Sequence, residues 1–142
     1  MKQKVYIKRL DPSVPAPAYA HDDDAGFDLF ARSEVVLGPG ERAQVPTGVA
    51  MVIPDGYVGL VWDKSGISHK HGLKTLGGVV DAGYRGEVMV GVVNVGSEPY
   101  HIDKHRKVAQ MLVQAVEHVV FEEVEELPDS VRGTGGFGST GV

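Results

Sequence analysis

An all-β fold, a sandwich or barrel of short strands, is what this sequence predicts, on three observations. Between Val35 and Trp62, short apolar-rich runs are separated by Pro/Gly turns at Gly38-Pro39-Gly40 and Pro54-Asp55-Gly56, a spacing of about ten residues that belongs to sheet proteins. No helical period appears in that half of the chain. One segment alone, Ser65 to Gly72, carries the punctuation of a short helix, with Ser65 as expected N-cap and Gly72 as the residue just past its end.

The chain has 142 residues, of which 42% are hydrophobic and 23% charged, enough for one globular domain with a true core. Its balance excludes several classes of function. The net charge is −5, with acidic residues gathered at Asp22-Asp23-Asp24 and between Glu117 and Glu126, so there is no footprint for a nucleic-acid backbone. No apolar run reaches the roughly 18 residues of a membrane span. There is no cysteine, hence neither disulfides nor thiol chemistry. Met1-Lys2-Gln3-Lys4 leads straight into strand pattern, without the apolar stretch of a signal peptide. The expectation is a cytoplasmic protein that engages neither nucleic acid nor membrane. Any phosphate-bearing ligand would be small, met by a few placed groups plus a metal ion.

In chain order, Lys4 to Leu10 alternates and reads as a first strand ended by Asp11-Pro12. Pro15 and Pro17 make an irregular connector. His21-Asp22-Asp23-Asp24 reads as a solvated acidic loop, since adjacent carboxylates point in different directions. In Ala25-Gly26-Phe27-Asp28-Leu29-Phe30-Ala31, Asp28 shares a strand face with Phe30, which makes it either an edge-strand gatekeeper or a site residue. Strands follow at Glu34–Leu37, Arg42–Val45, Gly48–Ile53 and Tyr57–Trp62. The Lys64-Ser65-Gly66 entry to the helix offers an anion seat of free N–H groups, a hydroxyl and a cation, or an ordinary capped turn. His69 and His71 read as solvated histidines, with no third metal ligand nearby.

Leu76 to Val80 reads as a strand that stops at Asp81, followed by a turn at Ala82-Gly83. That places a carboxylate at the lip of a β-structure with Tyr84 close by. Taken alone, Asp81 could be a turn-former bonded to its own backbone. Strands are then expected at Glu87–Val95, Tyr100–Ile102, Lys107–Val116 and Val119–Glu126. Residues 1–128 form the expected β-domain, and 129–142 a mobile glycine-rich arm. Its Gly133-x-Gly135-x-x-Gly138 spacing imitates a dinucleotide fingerprint but follows no strand-to-helix unit. A cation, an aromatic ring and hydroxyls set among glycines suit a segment that folds over a ligand.

Five separated stretches together resemble the homotrimeric dUTP diphosphatase family: Ala25 to Ala31, Lys64-Ser65-Gly66, Gly78 to Glu87, Lys107-Val108-Ala109-Gln110, and Arg132 to Gly141. The resemblance implies a distorted jelly roll of the β-clip kind, a homotrimer with sites shared between subunits, and Mg²⁺-dependent hydrolysis of dUTP to dUMP and pyrophosphate. It implies Asp81 as the base that activates water, and Tyr84 as the wall against the deoxyribose. Ser65, Gly66 and Gln110, with Lys64 as added charge, would hold phosphate oxygens. Asp28 would hold Mg²⁺ through a water, Arg132 would clamp the terminal phosphate, and Phe137, with Gly138 and Ser139 beside it, would cover uracil. Val79 and Val80 would select uracil through their backbone, and Met89 would line the pocket. Lys64 and Lys107 stand where the family commonly has arginine, and Thr75 where many bacterial members have asparagine. Two alternatives share the scaffold, a dCTP deaminase and a catalytically idle nucleotide-binding protein. The deaminase needs a glutamate three residues before Asn94, where this chain has Gly91.

Overall fold

The computed structural model describes residues 2–141; Met1 and Val142, the last residue of the expected arm, lie outside the described residues. In chain order come β1 (Tyr6–Arg9), β2 (Phe27–Phe30), β3 (Val35–Leu37), β4 (Arg42–Val52), β5 (Tyr57–Trp62), helix α1 (Ser65–His71), β6 (Leu73–Leu76), β7 (Val79–Val80), β8 (Glu87–Asn94), β9 (Tyr100–Ile102) and β10 (Lys107–Ala115). One sheet has the order β1-β4-β8-β6, a second β2-β10-β5-β7, and β3 pairs with β9. This is an all-β jelly roll with one short helix. Among the described residues no helix is long and apolar enough to cross a membrane.

Alternation decides which face is inside. On β8, Val88, Val90, Val92 and Asn94 are buried while Met89 turns outward, the period of two that any strand imposes. The core joins both large sheets through Leu29, Val45, Met51, Val61, Val90 and Met111, each fully buried aliphatic side chain contributing about 1.5–3 kcal/mol. Asn94 is polar and buried, yet its Nδ2 donates to the Leu37 and Glu98 carbonyls at 2.9 and 2.8 Å and its Oδ1 accepts from the Gly96 N–H at 2.8 Å. A buried amide with its partners in place carries no desolvation penalty to speak of, and here it ties β8 to β3.

Several expectations are corrected. Leu76 to Val80 is not one strand: Leu76 ends β6, Val79-Val80 forms β7 in the other sheet, and Gly77 and Gly78 between them have φ of 67° and 105°. Such backbone is open to glycine, and a Cβ on Gly78 would stand 2.7 Å from the Val61 carbonyl oxygen. The two strands expected at Arg42–Val45 and Gly48–Ile53 are one, β4, whose register shifts between Pro46 and Ala50; a bulge accommodates a proline that cannot donate to the ladder. Ser65 is not the N-cap. Lys64 holds that position, with φ −84° and ψ 119° and no side-chain cap, whereas Gly72 ends the helix as expected, at φ 74° with its N–H on the Ser68 carbonyl. Val119 to Glu126 forms no strand; Val120 and Phe121 are 97% and 92% exposed. The alternation is there, but no ladder partner lies within the described chain.

Candidate active site

Three neighbouring strands build the first half of the site. The register of β2, β10 and β5 sets Asp28, Gln110 and Trp62 in a row across the sheet. Asp63 and Lys64 follow Trp62, where the chain turns from β5 into α1. Asp28 is 3% exposed, buried too deeply to act as a gatekeeper on a solvent edge. Lys64 Nζ lies 2.6 Å from its Oδ1 and Lys107 Nζ 3.1 Å from its Oδ2. Burial opposes ionisation of Asp28, but the hydrogen bonds and charges of the two lysines outweigh it and hold the carboxyl below its usual range.

Gln110 Nε2 donates to the Asp63 carbonyl at 2.8 Å, which fixes the amide at the mouth of α1 and leaves its second N–H for a ligand. Ser65 and Gly66 are exposed in the first helical turn. The N–H groups of that turn have no intrahelical partner, and a Cβ on Gly66 would meet nothing within 4 Å. This half therefore presents cations, a hydroxyl and free donors around one buried carboxylate.

The second half is built on the β6–β7 crossing and the turn after it. Val80 pairs with Gly59 and Val79 with Leu60, so the exposed Asp81 lies alongside Val58. The turn closes with the Tyr84 N–H donating to the Asp81 carbonyl at 3.1 Å, and Tyr84 Oη donates to the Glu87 carbonyl at 2.7 Å. Glu87 is itself anchored: its carboxylate accepts from Arg32 at 3.1 Å and from the Gly48 N–H at 2.9 Å. A groove of about 570 Å³ is lined by Leu76, Gly77, Gly78, Met89 and Gly91, with Arg42 among its walls. The Thr75 N–H is held by Asp63 Oδ1 at 2.6 Å, beside Lys64.

Within one chain the halves do not meet. Asp81 and Lys64 sit at opposite ends of β5, about six residues of extended chain or roughly 20 Å apart. The arm is a third group. Arg132, Phe137, Gly138 and Ser139 are exposed, Phe137 at 112%, and the backbone bonds there are local, as from Ser139 N–H to the Gly136 carbonyl at 2.7 Å. The structure thus brings together Asp28, Lys64, Ser65, Gly66 and Gln110, and separately Val79, Val80, Asp81, Tyr84 and Met89.

Sequence reasoning missed Asp63, Arg32 and Glu87. Lys74 Nζ lies 2.9 Å from Asp63 Oδ2. Burial raises the Asp63 pKa, but Lys74 and the Thr75 bonds prevail and lower it. Arg32 bridges Glu87 and Asp11. None has a local motif; each acts through a partner far away in the sequence. Among the described residues no group of three His, Cys, Asp or Glu side chains is placed to hold a metal ion. An ion here would have to bring other ligands with it.

A family model described as dUTPase matches residues 13–141. The chain is 50% identical to a deoxyuridine 5′-triphosphate nucleotidohydrolase of Thermobifida fusca, covering 97% of this chain and 79% of that one. It is 48% identical to another of Mycolicibacterium gilvum, covering 99% and 97%. Among solved structures, the Staphylococcus bacteriophage 80alpha dUTPase with dUPNHPP superposes with a TM-score of 0.93 at 32% identity, over 99% of this chain and 100% of that one. The phage phi11 dUTPase of S. aureus, at 29% identity and a TM-score of 0.82 over 87% and 98%, is described with a coordinated structural Mg(II) ion. On that agreement over nearly its whole length, the chain belongs to the dUTPase family.

Proposed function

We infer that this dUTPase converts dUTP to dUMP and pyrophosphate, and we propose that each active site is assembled from copies of the chain in a homotrimer. One observation carries the shared site: the expected base, Asp81, and the expected phosphate seat lie at opposite ends of one strand. A water activated by Asp81 cannot reach a phosphate held at Lys64 of the same chain, but it can reach one held by a neighbour. The exposed apolar stretch Val119, Val120, Phe121, Val124 and Leu127 agrees with this, because it needs a cover that the described residues of its own chain do not supply.

In this reading Asp81 accepts a proton from the attacking water, whose oxygen bonds to the α-phosphorus as the bond to the bridging oxygen breaks and pyrophosphate leaves. Asp28, Lys64, Ser65, Gly66 and Gln110 of another copy hold the phosphates. One carboxylate with capacity left beyond its two lysines suits an ion that keeps most of its waters. Asp28 would hold Mg²⁺ through a water, and the ion would supply neutralisation of the phosphate oxygens. Tyr84 stands against the deoxyribose and leaves no room for a 2′-hydroxyl. Backbone groups at Val79 and Val80, beside Thr75 and Met89, select uracil, because cytosine turns an acceptor into a donor and strands a buried N–H. The arm then closes from residue 129 onward, Arg132 clamping the terminal phosphate and Phe137, with Gly138 and Ser139, covering the base.

The deaminase alternative has no support in the groove. A side chain at Gly91 would begin 2.9 Å from the Leu76 carbonyl oxygen, so the missing glutamate has no room. The test is pyrophosphate release with Mg²⁺ from dUTP, dCTP, dTTP and UTP. Release from dUTP alone is expected; ammonia released from dCTP would overturn the reading.

A further inference from the structure

Resting on the reading of Tyr84 as the sugar wall, the geometry points to Gly86 as the residue that sets where that wall stands, and so to a positioning residue for the choice of deoxyribose over ribose. Tyr84 is 43% exposed. Two contacts bear on where its ring stands. Its Oη donates to the Glu87 carbonyl at 2.7 Å, and its ring lies over Gly86, where a Cβ would stand 2.6 Å from Oη, 2.8 Å from Cζ and 3.1 Å from Cε1. These separations are below ordinary van der Waals contact, so the ring rests in the space that a side chain at position 86 would fill.

Conformation does not demand glycine there. Gly86 is absent from the positive-φ residues, which include Gly77 and Gly78 close by, so the backbone at 86 accepts an L side chain. The remaining demand is room for the Tyr84 ring. The atoms in the way belong to the far end of a rotatable, half-exposed side chain, so an added methyl group displaces the ring and spares the fold. The base of the seat is firm: the Glu87 carboxylate accepts from Arg32 at 3.1 Å and from the Gly48 N–H at 2.9 Å. The carbonyl that tethers Tyr84 therefore belongs to an anchored residue. Gly86 thereby fixes the position of the wall that meets C2′.

The experiment is a double-variant cycle on the intact protein: wild type, Gly86→Ala, Tyr84→Ala and the pair, each assayed for kcat/KM with dUTP and with UTP. Thermal melts confirm folding. Gly86→Ala is expected to lower the dUTP/UTP ratio by roughly tenfold or more, mostly through better use of UTP. In the Tyr84→Ala background it should change the ratio little, since the ring it displaces is gone. Tyr84→Phe, which leaves position 86 intact but cuts the tether to Glu87, should loosen selection to a lesser degree. If Tyr84→Ala keeps full discrimination, the sugar-wall reading itself is wrong. If Tyr84→Ala loses discrimination while Gly86→Ala and Tyr84→Phe keep it, the wall stands and the seat inference is overturned. Equal effects of Gly86→Ala in both backgrounds would overturn it as well.

Discussion

Asp81 is exposed at the end of a two-residue strand, held by its backbone and free in its side chain. Replacing the acid with its amide keeps shape and removes the proposed base. Asp81→Asn is expected to lower kcat for dUTP by about 10²–10⁴-fold; calorimetric binding of a non-cleavable dUTP analogue should stay within roughly threefold of wild type. Full activity in this variant would mean that another group activates the water. Asp63 gives a prediction on stability. Its folded pKa is lowered from an ordinary 3.8 by Lys74 and the Thr75 bonds against the opposing effect of burial. A lowered folded pKa contributes stability that is present above 3.8 and lost as pH falls through the lower folded value. Asp63→Ala should thus lower the urea midpoint at pH 7, and its gap from wild type should narrow as the pH falls below the carboxylate range. A gap that does not change with pH would show that the ion pair contributes nothing. The same residue shows a limit of reading a chain in one dimension. Asp28 and Lys64 stand in recognisable surroundings, whereas Asp63 matters only because Lys74, Thr75 and Gln110 converge on it in space.

Elements were legible to the extent that their pattern is local. Tyr57–Trp62 and Tyr100–Ile102 appear where alternation and turn residues place them, and Gly72 ends α1 in the left-handed conformation that the punctuation demands. Gly72→Ala is expected to cost about 1–2 kcal/mol for conformation alone. The loss should be larger here, because a Cβ would stand 2.6 Å from the Gly96 backbone nitrogen; urea unfolding measures it, with looser dUTP binding as a companion effect through α1. Two misreadings have one physical cause, that a strand is defined by its partner. Leu76 to Val80 is uniformly apolar or glycine, and nothing within it says that its halves pair with β8 and β5 in different sheets. Val119 to Glu126 has strand composition and no ladder partner among the described residues. Among the described residues, the backbone bonds of the arm beyond it run within the arm itself. Truncation from Arg132 onward should therefore cut turnover by at least about a hundredfold and leave the melting temperature unchanged. An unaltered rate would show that the arm is not a lid.

At the scale of the whole molecule, the separation of the two half-sites along β5 leads to a complementation test. Asp81→Asn chains and Lys64→Met/Ser65→Ala chains should each be nearly inactive, yet refolding an equal mixture should restore roughly a quarter of wild-type sites by random assortment in a closed ring. Recovery no greater than the sum of the separate variants would show that each site is complete within one chain. The strand that spans both halves also has a consequence for gene dosage. With sites shared between copies as proposed, a chain damaged at both ends of β5 would spoil a site with each neighbour. With equal amounts of sound and damaged chains, only about a quarter of sites would escape rather than half. Such an allele would act as a dominant poison.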